Sequence, residues 1–269
     1  MANLDQCLYI FIASCIFSSP VLHAKPIYAS CNTQQTIQLI QKFKLLSDLT
    51  LKHEEIENRS DCIQLNDSQV LIATANMIET NQDNYQINLD LIDMNKQKLL
   101  MRYQHPQFVS EANGKFSSIK FDRTPYSNIN NNEKIIGLKT HLYSIGEHSY
   151  NLDKFNLFRL IYSSPTAKNN KVQWVLRNIN TQIQSNWRPM YGCGESTNDD
   201  IKSIFILRNT QNNQLQDILL KQTKKSVDTD EECKTTRVNK TQQQLLKFNG
   251  ESYPINRTQL LYSDDLKDE

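Results

Sequence analysis

Ile201-Lys202-Ser203-Ile204-Phe205-Ile206-Leu207-Arg208, then Asn209-Thr210-Gln211-Asn212-Asn213-Gln214, then Leu215-Gln216-Asp217-Ile218-Leu219-Leu220-Lys221, is the stretch that decides the fold. Two short apolar runs of similar length flank a break rich in Asn and Gln. Runs of this length bounded by turn formers read as strands, since a helix needs a longer periodic segment. A strand over 201–208, a turn over 209–214 and a return strand over 215–221 are therefore expected. The pair sits inside residues 174–253, which hold both tryptophans, Trp174 and Trp187, and two cysteines, Cys193 and Cys233. Upstream of the pair, 172–179 and 182–187 read as two more strands. Downstream, 224–234 is a charged connection. Residues 245–248, Asn249-Gly250 and 252–255 read as a closing hairpin, because Asn-Gly supplies the positive φ angles of a tight hairpin turn.

The same pattern recurs towards the N-terminus. Tyr85, Ile87, Leu89 and Leu91 alternate with Gln86, Asn88 and Asp90. This period of two marks a half-buried strand. A turn over 93–97 returns it through 99–103. Asp90 falls on the polar side and Asp93 in the turn, so both read as solvated. Residues 70–78, 116–121, 135–143 and 155–162 read as further strands, with 128–132 a polar loop. Ile37, Ile40, Phe43 and Leu46 recur every three residues, which predicts a helix over 33–46 capped by Asn32 or Thr33. The charged residues 52–59 read as an exposed connection. The chain thus reads as mainly β, with antiparallel sheets and hairpins and one N-terminal helix. One β-rich domain is expected over 25–269, with a sub-boundary near 163–171.

The chain has 269 residues, 38% hydrophobic and 9% aromatic, with 30 basic and 29 acidic side chains. A net charge of +1 supplies no field of one sign to attract nucleic acid. Lys221, Lys224 and Lys225 form a small basic patch without the interleaved aromatics of a nucleic-acid face. Residues 8–22 are apolar but interrupted by Cys15, Ser18, Ser19 and Pro20, too short to span a bilayer comfortably. They read as a secretory signal over 1–24, cleaved after Leu22-His23-Ala24, with Ala29 a second cleavage option and an uncleaved N-terminal anchor the other reading. Met1–Gln6 carries no Lys or Arg and contains Asp5, which is irregular for such a signal. Ile12-Ala13-Ser14-Cys15 offers a lipoprotein reading with Cys15 as the lipidated residue. No transmembrane span is expected after signal removal.

Signal removal leaves Cys31, Cys62, Cys193 and Cys233. An even number in an exported chain predicts disulfides. Of three pairings, sequence order favours Cys31–Cys62 and Cys193–Cys233. Zinc fails on spacing, since no C-x-x-C occurs and no His lies close to a cysteine.

The motifs of serine hydrolases, zinc proteases, phosphate loops and dinucleotide folds are absent. His141 and His148 stand on opposite arms of a turn, with Glu147 between them, too sparse a set to assign a metal. In 209–217 the carboxylates of a calcium loop are missing, and Asp217 reads as serving the turn. The best candidate for a functional surface is the loop of Trp187, Arg188, Tyr191, Gly192, Gly194 and Glu195. Its plainer reading is a disulfide corner that uses glycine's backbone freedom.

In the second half, Asn186-Trp187, Gly194-Glu195, 201–208, Leu215-Gln216-Asp217-Ile218-Leu219, Cys233 and Phe248-Asn249-Gly250-Glu251-Ser252-Tyr253 follow one order. Together with 91–103, Ile136-Gly137 and Asn156-Leu157-Phe158, this order resembles a group of uncharacterised exported proteins of Gram-negative bacteria, of the Acinetobacter and Pseudomonas kind. The resemblance implies a periplasmic location and β-rich architecture, and carries no catalytic residue or cofactor. The expectation is a non-enzymatic binding or envelope-accessory protein, acting on an envelope protein or ligand. The alternatives are a hydrolase-like enzyme whose site assembles from distant residues such as His141, Asp217 or Glu195, and a secreted inhibitor.

Overall fold

Asn32 caps the first helix. Its Oδ1 accepts from the Gln34 N–H at 2.8 Å, satisfying one of the free donors at a helix start. The computed structural model describes residues 28–48, 50–78, 81–110, 115–124, 126, 128–130, 133–145, 148–161, 170–187 and 196–262. The expected signal segment with Cys15, the loop from Arg188 to Glu195 with Cys193, and most of the 163–171 sub-boundary lie outside them.

The chain opens with β1 (Ala29–Ser30), α1 (Thr33–Phe43) and α2 (His53–Asn58). Then follow β2 (Ser60–Asn66), β3 (Gln69–Ile78), β4 (Asn81–Asp93) and β5 (Lys98–Ser110). These five strands form one sheet in sequence order. The second sheet takes β6 (Lys115–Asp122), β7 (Asn128–Asn130), β8 (Glu133–Ser144), β9 (His148–Ile161) and β10 (Lys171–Trp187). It is completed by β11 (Ser196–Asn212), β12 (Leu215–Thr229) and β13 (Thr235–Leu246). Its order is β13-β12-β11-β10-β9-β8-β6, with β7 on β8. Every pairing in both sheets is antiparallel.

Three apolar cores hold these layers. Leu71, Ala73, Leu89 and Leu91 of the first sheet meet Ile136, Leu138, Phe158 and Trp174 of the second. On its other face the first sheet packs Ile72 and Ile92 against Ile37, Ile40 and Leu45 of the helical segment. The far face of the second sheet packs Phe155, Leu157, Ile218 and Leu246 against Phe248 and Tyr253. Consecutive Leu157 and Phe158 therefore enter opposite cores, as period two requires. The apolar runs of β9 and β10 follow, because both sides of these strands are covered.

The Cys31–Cys62 disulfide ties the start of α1 to β2, with Cα atoms 5.4 Å apart. Cys233 is also disulfide-bonded; its expected partner, Cys193, lies outside the described residues.

Several sequence expectations need correction. Residues 53–58 are helical, not an exposed connection. The Glu55 carboxylate accepts from the Lys52 N–H at 2.9 Å, and Ile56 is buried against α1. Residues 171–187 are one strand, not two; register shifts between Trp174 and Gln182 and a positive φ at Asn178 absorb the break. Residues 128–130 pair with β8 instead of looping free. The turn expected over 209–214 shrinks to Asn213 and Gln214, both at positive φ, and the strands run on to Asn212 and from Leu215 to Thr229. Residues 235–246 form an unexpected polar strand, and 252–255 does not pair back as a hairpin. Asn249-Gly250 does make a turn, in which the Asn249 N–H reaches the Ser252 carbonyl at 3.0 Å. Beyond it the Tyr253 N–H bonds the Val175 carbonyl at 2.7 Å, so the chain crosses to β10.

The solvated reading of Asp90 and Asp93 is also overturned. They are 0% and 3% exposed. The face that holds Asp90 is covered by the helical segment, which alternation along a single strand does not reveal.

Candidate functional site

Trp187 ends β10, opposite Thr197 of β11 and His148 of β9. Beside it a cavity of about 240 Å³ is walled by Thr197, Asp228, Asp230, Lys234 and Thr236. Asp230 builds the floor of the adjoining turn. Its carboxylate accepts from the Glu232 and Lys234 N–H groups at 3.1 and 2.8 Å, and Cys233 takes a positive φ of 64°. Of the loop singled out in the sequence, Trp187 is placed here. Arg188, Tyr191, Gly192, Gly194 and Glu195 lie outside the described residues. Asp228 and Asp230 were legible only as part of the charged connection over 224–234; register brings them beside Trp187.

The titratable candidates do not converge. Asp217 accepts from Thr210 Oγ1 at 2.6 Å and from Asn212 Nδ2 at 2.5 Å. The Thr210 bond does most to hold its carboxyl below the usual range. Asp217 thus serves the turn. His141 is elsewhere, with Nδ1 2.5 Å from Asp153 Oδ1 on the neighbouring strand. Ser118 stands directly opposite His141 on β6. Ser, His and Asp thus occupy adjacent strands in one row, the residue types of nucleophilic hydrolases. Ser118 Oγ does not hydrogen-bond the ring, and the His and Asp side chains are about one-third exposed. The row was missed because His141 was matched with His148. The hairpin register, which pairs 141 with 153, would have found Asp153.

Other charged groups are consumed within the fold. Arg102 Nε donates to Asp90 Oδ1 at 2.7 Å, while Asp90 Oδ2 has no protein partner. Burial raises the Asp90 carboxyl above its ordinary range against the opposing pull of Arg102. Burial alone would also raise Asp122. The Lys139 charge at 3.1 Å and hydrogen bonds from Thr124 outweigh it and hold this carboxyl low. Glu133 pairs with Arg159. No group of three or more metal-capable side chains forms among the described residues.

A groove of about 730 Å³ lies between β10 and the C-terminal segment. Trp174, Val175 and Arg177 form one wall; Ser252, Tyr253 and Arg257 form the other. Main-chain and side-chain bonds brace it. Gln173 Nε2 donates to the Glu251 carbonyl at 2.9 Å, Tyr253 OH to the Gln216 carbonyl at 2.8 Å, and Arg257 to the Arg177 carbonyl at 3.3 Å. Burial and the Asp217 charge raise the Tyr253 phenol, which stays a neutral donor. Behind the groove, Trp174 Nε1 donates to Tyr103 OH at 2.8 Å. The Trp174 and Tyr253 rings are themselves buried in the cores that flank the groove, so it presents a mainly polar lining with Arg177 and Arg257 along it.

No described helix is long and apolar enough to cross a membrane. Compared with known proteins, the chain matches no family model, no curated protein and no solved structure.

Proposed function

We propose that this is an exported, non-enzymatic binding or envelope-accessory protein of a Gram-negative periplasm, released from a signal over residues 1–24. The observation that carries the binding reading is the braced groove between β10 and residues 251–257. The groups able to do acid–base chemistry stand apart from it or are held in structural bonds. The Cys31–Cys62 disulfide supports an oxidising compartment.

Native mass spectrometry of protein purified from its own cell envelope tests this reading. The expected result is a mature chain starting near Lys25 and carrying a bound small molecule of defined mass. Ser252→Trp, which fills the groove without removing a side-chain bond, abolishes that adduct and leaves the melting temperature nearly unchanged. Recovery of bare protein, or an adduct indifferent to Ser252→Trp, refutes it. The hydrolase alternative draws on the Ser118–His141–Asp153 row. It requires a fluorophosphonate probe to label Ser118 and His141→Ala to abolish the labelling.

A further inference from the structure

Residues 235–246 run Thr-Thr-Arg-Val-Asn-Lys-Thr-Gln-Gln-Gln-Leu-Leu. They form β13, the last strand of the second sheet, and no described strand pairs with its outer side. In such a strand every second residue points its N–H and C=O away from the sheet. Proteins blunt this kind of edge with a proline, a bulge, a short length or charged side chains. β13 has only the last, Arg237 and Lys240, which oppose a like-charged strand and leave an acidic one acceptable. It runs 12 residues without proline, and its register with β12 is unbroken from Thr229–Thr235 to Ile218–Leu246.

Two further features mark this edge. The first is charge. Lys234, Arg237, Lys240 and Lys247 fall between Glu232 and Glu251 with no carboxylate among them, in a chain whose charges otherwise nearly cancel. Arg237 and Lys240 are exposed and make no ion pair among the described residues. The second is an apolar patch on the same margin. Ile206, Leu219 and Leu245 lie in one row across β11, β12 and β13, with Ile204 beside them. Ile204, Ile206 and Leu245 are 52%, 38% and 47% exposed.

We propose that β13 is the docking edge for an extended, acidic segment of a partner protein. The segment adds to the second sheet as a further strand. Main-chain bonds to the free edge supply affinity, as in strand addition generally. Carboxylates on the segment meet Arg237 on one face and Lys240 on the other, and an apolar side chain covers Leu245 and the Ile206 row. The same positive charge disfavours a second copy of this chain, since pairing β13 with itself brings four or more cations together with no anion. This inference does not depend on the β10 groove.

Fluorescence anisotropy tests it with a labelled 12-residue peptide repeating Glu-Glu-Val-Val, matched in length to β13, so that each face of the extended peptide carries both carboxylates and apolar side chains. The expected result is saturable binding that weakens with salt. Arg237→Glu combined with Lys240→Glu weakens it at least about tenfold, more than 1.4 kcal/mol, with unchanged far-UV circular dichroism. A Lys-Lys-Val-Val peptide does not bind. N-methylation of every peptide amide blocks binding, because strand addition needs a row of peptide N–H donors facing β13. Undiminished binding by the fully methylated peptide would mean charge attraction without strand addition and overturns the proposal. So does absence of binding by the Glu-Glu-Val-Val peptide. Sedimentation showing a dimer abolished by the double variant would assign the edge to a second copy and overturns it equally.

Discussion

Gly137 shows how closely one residue can be specified. A Cβ built there would stand 2.6 Å from Phe155 Cε2 and 2.8 Å from Asp122 Cβ. Its neighbours in the ladder are Asp122 on β6 and Leu157 on β9. Gly137→Ala is expected to cost about 1–3 kcal/mol through overpacking, read as a lower urea midpoint with an unchanged slope. Asp90 carries a second residue-scale prediction. Its folded-state carboxyl is raised by burial, so the folded chain binds this proton more tightly than the unfolded one. Stability attributable to Asp90 therefore rises as pH falls through its raised value and levels off below the ordinary carboxylate range. Denaturation curves of wild type and Asp90→Asn across that acidic window should show wild type gaining on the variant as pH drops. A difference that stays constant, or shrinks, would contradict the assignment. Alternation in 85–91 shows which side chains share a face, but it placed Asp90 in water because it says nothing of what covers that face.

At the scale of elements, the Cys31–Cys62 bond closes a sequence separation of 31 around both helices. Replacing both cysteines by serine should lower stability by about 3–4 kcal/mol on the chain-entropy reckoning. Hydrogen exchange should then quicken first in α1 and β2. The helix α1 was legible because its apolar spacing and Asn32 cap agree. α2 was not, since six residues with one buried Ile56 leave too little periodicity to read. The same limit hid β13. Its residues are polar on both faces because a sheet edge buries little, so hydropathy gave no period to detect. In 245–255 the Asn-Gly signal located the turn. The partner of the returning chain is Val175, far away in sequence. Of the candidate loop read from the sequence, Trp187 alone lies among the described residues, and the wall of Asp228, Asp230 and Lys234 beside it was not read.

Across the whole molecule, the two sheets share one core and are stitched at their junction. Phe121 N–H donates to Asp61 Oδ2 at 2.7 Å, and Lys120 Nζ donates to the Glu57 carbonyl at 2.9 Å. Trp174 bonds Tyr103 across the same interface and packs on Phe158 with ring centroids 5.2 Å apart. Unfolding should therefore be a single cooperative transition, with far-UV and near-UV signals superimposing. Trp174→Phe should lower its free energy by about 1–3 kcal/mol through the lost bond and volume. Transitions that separate by probe would mean that the sheets unfold independently.

The sequence by itself determined the class of this protein. Period-two alternation, strand-length apolar runs and Asn-rich breaks specify antiparallel β structure, because they report on local backbone geometry and on which face is apolar. The Cys31–Cys62 pairing was readable from sequence order, because neighbouring cysteines close the shorter loop. Tertiary structure alone decided which strands close into which sheet, which polar residues are buried and where openings remain. Asp153 beside His141, Tyr253 on Val175 and the place of β13 at the end of its sheet all depend on register and on what packs across a face. Those relations join residues distant in the chain, and no local pattern of hydropathy or charge encodes them.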